Sequence, residues 1–149
     1  MMIKKIILFF LLITVSNCGY EPTLKKNFNL SIQNFELIGD KNINRRIVSL
    51  LDIKKNVSNS SAYTMTLNSQ KSIISTAKDK SGKTSVFRTI INLKLQLKQN
   101  EKLIKERNFS SSFTYNNSEN NHDLLQYQRT IEINLTNKIF EEIIIFLST

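Results

Sequence analysis

Between Phe87 and Lys98 the chain alternates: Phe87, Thr89, Ile91, Leu93, Leu95 and Leu97 hold one parity, and Arg88, Asn92, Lys94, Gln96 and Lys98 hold the other. Successive side chains of a strand point to opposite faces, so this segment must lie with one face on a core and the other in water. Its neighbours follow the same rule. Tyr63, Met65 and Leu67 alternate with Thr64, Thr66 and Asn68, and the strand is expected to reach Thr76. Asp79-Lys80-Ser81-Gly82 supplies turn chemistry, and Gln99-Asn100-Glu101-Lys102 supplies a second turn. Leu103 to Tyr115 then carries Phe109, Phe113 and Tyr115 on one face. Three antiparallel strands are predicted.

Their apolar face needs a cover. From Asp123 onward Tyr127, Ile131, Leu135, Ile139, Ile143 and Leu147 recur at every fourth position, flanked by Leu124, Phe140 and Ile144. Ile131, Ile133 and Leu135 also alternate as a strand would, but the longer stripe selects an amphipathic helix. Asn116 to His122 reads as the polar loop before it. Upstream, Phe28, Leu30 and Ile32, then Phe35 and Leu37 after an irregularity, mark a strand over 28–38. Gly39-Asp40 breaks that strand, and Asp40 can cap a helix over 41–54 with Ile43, Ile47, Leu50 and Leu51 inward. NVSNSS, 56–61, reads as a loop. The expected fold is α+β, a four-stranded mixed sheet with two helices packed on it, in the order β-α-β-β-β-α. With 149 residues and only 3 Gly and 1 Pro, the chain suits one domain and no loop-dominated fold.

The first seventeen residues determine location. Lys4 and Lys5 precede an apolar run from Ile6 to Val15, about half the length a bilayer-spanning helix needs. That is the layout of a secretory signal peptide, residues 1–17. Val15-Ser16-Asn17-Cys18 is similar to a bacterial lipobox, although Asn17 stands where Gly, Ala or Ser is usual. Cys18 is the only cysteine, so no disulfide partner exists within the chain. Lipidation of Cys18 is expected, with residues 18–27 as a tether and 28–149 as one domain. Two or three acyl chains, at about 0.8 kcal/mol per buried methylene, would hold it at a membrane. Gly19, where an inner-membrane protein would carry Asp, points to the outer membrane on its periplasmic side.

The net charge of +9 falls to +7 when residues 1–17, with Lys4 and Lys5 and no acid, are removed. A basic surface favours anionic partners, whether nucleic acid, phospholipid or phosphorylated glycolipid. Export argues against nucleic acid, and no stacked-aromatic motif supports it. Lys71, Lys78, Lys80, Lys83 and Arg88 are expected to cluster around the tip of the second and third strands, where cations and hydroxyls could hold phosphate. The alternative is a solvated hairpin whose lysines oppose edge-to-edge pairing. Catalytic signatures are thin. One His and one committed Cys leave no Cys/His zinc cluster and no Cys–His dyad, and His122 reads as a surface residue beside Asp123. No metal and no cofactor are expected beyond acyl chains on Cys18.

Cys18-Gly19-Tyr20-Glu21-Pro22 resembles the Cys-Gly-aromatic-basic-Pro opening of the lipopolysaccharide-assembly lipoprotein LptE family, with Glu21 in place of the basic residue. Phe113-Thr114-Tyr115-Asn116, followed by a short loop and a long helix, is similar to that family's last strand end, and the element order matches along the mature chain. The resemblance implies a non-catalytic plug inside the outer-membrane β-barrel LptD that helps the barrel assemble and contacts lipopolysaccharide. Lys80, Lys83 and Arg88, covered by no family motif, are the contacts that charge alone suggests. A periplasmic lipoprotein serving another envelope lipid transporter is the alternative.

Overall fold

The computed structural model describes residues 31–52 and 63–148. Cys18, the leader, the tether and the 56–61 segment lie outside the described residues. Six elements follow in order: β1 (Ile32–Gly39), α1 (Lys41–Leu51), β2 (Tyr63–Lys78), β3 (Thr84–Gln99), β4 (Lys102–Asn116) and α2 (Asn121–Ser148). They form one four-stranded sheet in the order β1-β2-β3-β4. β1 runs parallel to β2, and the other neighbours are antiparallel, so the sheet is mixed.

The alternation of β3 is realised as a spine. Ile91, Leu93, Leu95 and Leu97 are buried, and their neighbours across the sheet, Met65, Leu67 and Phe109, are buried with them. Burial of such side chains contributes about 1.5–3 kcal/mol each, which makes this row the centre of the fold. Both helices lie over it. In α2 the buried set is Ile131, Leu135, Thr136, Ile139, Ile143, Ile144 and Leu147. Ile133, which would share a face with Ile131 and Leu135 in a strand, is 41% exposed, as a helix requires. Tyr127 is half exposed yet packs edge-on against Tyr115, ring centroids 5.8 Å apart. The helix starts two residues before Asp123, because the Asn120 side chain accepts the His122 amide at 3.0 Å.

In β1 a register shift between Ile32 and Asn34 inserts one residue relative to β2. It carries Ile32 and Phe35, of opposite parity, to the same side of the sheet. At the other end Asp40 caps α1, its carboxylate accepting the amides of Asn42 at 3.0 Å and Ile43 at 3.2 Å. Ile43, Ile47 and Leu51 are buried as the spacing predicts. Leu50 is not: it falls on the outer flank of α1 and is 37% exposed. The helix ends at Leu51, where Asp52 takes a left-handed conformation at φ 46°; residues 53 and 54 of the expected span lie outside the described residues.

Gly39 makes the turn from β1 to α1 possible. Its φ is +87°, and a Cβ there would meet the Ser69 carbonyl oxygen at 1.9 Å. That carbonyl accepts the Asp40 amide at 3.0 Å, while the Ser69 hydroxyl donates to the Asp40 carbonyl at 3.1 Å. Gly82, in the β2–β3 turn, has a similar φ of +82° with open space around it. Gly39→Ala is therefore expected to destabilise by on the order of 3 kcal/mol, against about 1 kcal/mol for Gly82→Ala, which suffers only the backbone term. Urea unfolding of both variants measures the difference, and equal losses would contradict the packing at Gly39.

Candidate functional site

Three surfaces can do chemistry with a partner: the β2–β3 tip, the outer face of the sheet, and a groove between the helices. At the tip, Asp79 organises the turn. Its Oδ1 accepts the Ser81 amide at 2.8 Å, the Ser81 hydroxyl at 2.7 Å and the Lys83 amide at 3.0 Å. The Ser81 hydroxyl above all holds the Asp79 carboxyl below its ordinary value; desolvation, the next largest effect, opposes it, and the amides of Lys83, Ser81 and Gly82 add to the lowering. These bonds use the donors that a bare loop would offer an anion. What the tip presents outward is the ammonium groups of Lys80 and Lys83, exposed and without an ion pair among the described residues.

The expected cluster of five cations divides. Lys78 ends β2 beside Lys80 and Lys83. Arg88 projects from the outer face, where its Nε donates to the Thr114 hydroxyl at 2.9 Å. It lies four residues beyond the first residue of β3, about 13 Å at strand rise. Lys71 does not belong to the tip at all. Its parity sends it to the helix-covered face, where it pairs with Glu132 of α2.

Across the outer face the register lines up polar side chains from strand to strand. Glu36, Thr66, Gln96 and Glu106 form one rung through all four strands. The Thr66 hydroxyl donates to Glu36 at 2.7 Å, and the Gln96 amide donates to Glu106 at 2.6 Å. The Gln96 bond, then Lys94 at 3.0 Å, keeps the Glu106 carboxyl below its ordinary value. Farther along, Asn68 stands beside Lys94 and Asn108, and Gln70 beside Asn92 and Ser110, around a shallow depression of about 370 Å³. The Ser110 hydroxyl donates to Asn92 at 2.8 Å. This face offers amide, hydroxyl and charged groups over most of its length and suits a wet, polar counter-surface.

The third surface has no counterpart in the sequence reading. Arg45 and Arg46 of α1, Lys71 of β2, and Arg129 and Glu132 of α2 line a groove of about 630 Å³ between the helices. The arginines of α1 and Arg129 are 83 residues or more apart, and no spacing rule links them. The one available signal is negative: all three fall outside the apolar stripes of their helices. His122, in the first turn of α2, is exposed and makes a 3.0 Å contact with Gln126.

No protein-family model matches the chain, and no curated protein matches it. Solved structures do. Rare lipoprotein B from Shewanella oneidensis superposes with a TM-score of 0.54 at 10% identity, over 74% of this chain and 92% of that one. A lipoprotein from Caulobacter crescentus gives 0.54 at 13% identity, over 76% and 86%. Lipoprotein B from Nitrosomonas europaea gives 0.51 at 9% identity, over 77% and 81%. At these identities the likeness establishes the shared fold.

Because the folded Asp79 carboxyl titrates below its unfolded value, its contribution is present above the unfolded pKa and is lost as pH falls through the folded one. Hydrogen exchange at the Ser81 and Lys83 amides is expected to accelerate several-fold in Asp79→Ala at neutral pH. It should also accelerate in the wild type as acid protonates Asp79, beyond the intrinsic pH trend. Unchanged protection would show that Asp79 does not hold the tip.

Proposed function

We propose that this chain is an outer-membrane lipoprotein of the LptE kind, which plugs the LptD β-barrel, helps it assemble and takes part in lipopolysaccharide transport without catalysing a reaction. The observation that carries this reading is a conjunction. A leader ending in a lipobox-like Cys18 stands before a β-α-β-β-β-α domain that shares its fold, over 74% of this chain and 92% of the other, with a protein named rare lipoprotein B. Neither half would suffice. Many folds follow a lipidated cysteine, and this fold without an anchor would say nothing of a membrane.

The surfaces support the reading. Barrel lumens are polar and wet, and a plug needs an outer surface that can exchange hydrogen bonds with such walls. The outer face of the sheet, with Asn68, Gln70, Asn92, Asn108 and Ser110, is of that kind. The chain enters the sheet at Ile32, beside Tyr63, while the tip lies beyond Lys78 at the far end of β2, about 50 Å away at strand rise. An anchor near the chain start and a cationic tip at the opposite end suit a domain that meets acidic glycolipid away from its own attachment point. Lys80 and Lys83 would meet phosphate as mobile point charges, and Arg88 would act from the outer face.

Affinity capture of the full chain from detergent-solubilised membranes tests the proposal. The expected partner, identified by mass, is a large outer-membrane β-barrel, and depletion of the chain should lower surface lipopolysaccharide. Recovery of a stable monomer, or of inner-membrane transporter subunits in place of the barrel, would contradict it. The second outcome would favour a role in another lipid transporter.

A further inference from the structure

The groove between the helices carries more positive charge than the structure neutralises. Lys71 is paired with Glu132, the only acid among the described side chains lining it. Arg46 reaches across from α1 to α2 and donates through Nε at 3.1 Å and Nη2 at 3.0 Å, but its acceptor is the neutral amide oxygen of Asn137. Arg45 and Arg129 are exposed, and no described carboxylate lies within ion-pair distance of either. Three guanidinium groups therefore face one cleft with no counter-charge of their own. A cleft with low-dielectric walls focuses the field of like charges, and that field is relieved when an anion enters.

Two further features narrow the ligand. Guanidinium groups are planar forks that match phosphate and carboxylate oxygens in pairs, and one of the three is already held in place by Asn137. Beside them Ile73, Leu125 and Ile133 line the same groove and are 42%, 56% and 41% exposed. Large aliphatic side chains left open next to unpaired arginines make a surface that is apolar on one part and anion-seeking on another. At about 630 Å³ the groove has the size of an ordinary ligand site.

We propose that the groove between α1 and α2 binds the headgroup end of a phosphorylated amphiphile, with Arg45, Arg46 and Arg129 on the phosphate and Ile73, Leu125 and Ile133 against the first carbons of its aliphatic part. The site is separate from the β2–β3 tip. It does not rest on the barrel reading, since either can fail while the other stands.

Native mass spectrometry of the full lipidated chain, released from detergent after incubation with dioleoyl phosphatidic acid or dioleoyl phosphatidylcholine, tests the proposal. The wild type is expected to retain one phosphatidic acid and no phosphatidylcholine. The double variant Arg45→Gln/Arg129→Gln removes two charge-assisted contacts from exposed positions, so occupancy should fall at least about tenfold. Lys98→Gln/Lys102→Gln, at the turn between β3 and β4, should leave occupancy unchanged. Glu132→Gln removes the competing acid and should raise occupancy, a gain that misfolding cannot produce. Equal retention of phosphatidylcholine would overturn the proposal, as would occupancy indifferent to Arg45 and Arg129 or lost with Lys98 and Lys102. So would complete displacement by millimolar inorganic phosphate, which would mark a site for free phosphate.

Discussion

The pleat of β3 imposes the rest of the architecture. Ile91, Leu93, Leu95 and Leu97 cannot all leave water unless something covers one face of the sheet, and the same pleat sends Asn92, Lys94 and Gln96 to the opposite face, where a second cover would strand them. Among the described residues two helices lie on one side and none on the other, the arrangement that satisfies both demands. β2 and β4 extend the apolar row through Met65, Leu67 and Phe109, and the stripes of α1 and α2 close over it. The polar rungs of the outer face are thus a consequence of the core, not a separate device.

Placing both helices on one face has its own consequence. Their polar flanks meet above the sheet, and the contact between them is drawn by Arg46 and Asn137. A carboxylate in the place of Asn137 would neutralise that arginine; an amide fixes it and leaves its charge unanswered. The domain so concentrates positive charge in two places of different character. At the tip, mobile lysines stand around a loop whose donors Asp79 already occupies. Between the helices, arginines stand beside open aliphatic surface. The first suits loose attraction of acidic groups and the second suits a defined contact.

Legibility in the sequence followed the range of the interaction. Periodicity is local, so β2, β3, β4 and α2 could be read from it, and Ile133 confirms how the conflict between periods resolves. The irregularity in β1 was visible as a change of parity after Ile32, and a mixed sheet was expected, but which strand β1 would pair with was not, since nothing in a short strand announces its neighbour. Leu50 was misplaced because helical spacing does not say how wide a face of α1 the sheet covers; the buried set is Ile43, Asn44, Ile47 and Leu51, and Leu50 lies just outside it. Charge proximity is not local at all. Lys71 looked like a tip residue when counted along the chain, yet strand parity carries it beneath α2 to Glu132. The groove arginines come together only through the packing of α1 beside α2, and no count along one helix reveals that.

The proposed role in the cell envelope depends on the domain being held at a membrane by its first mature residue. The intact mass of the native protein, with its N-terminal peptide sequenced by fragmentation, tests that most directly. The account predicts a chain that begins at Cys18 and carries diacylglycerol on Sγ. A chain that retains residues 1–17 and an unmodified thiol would contradict it.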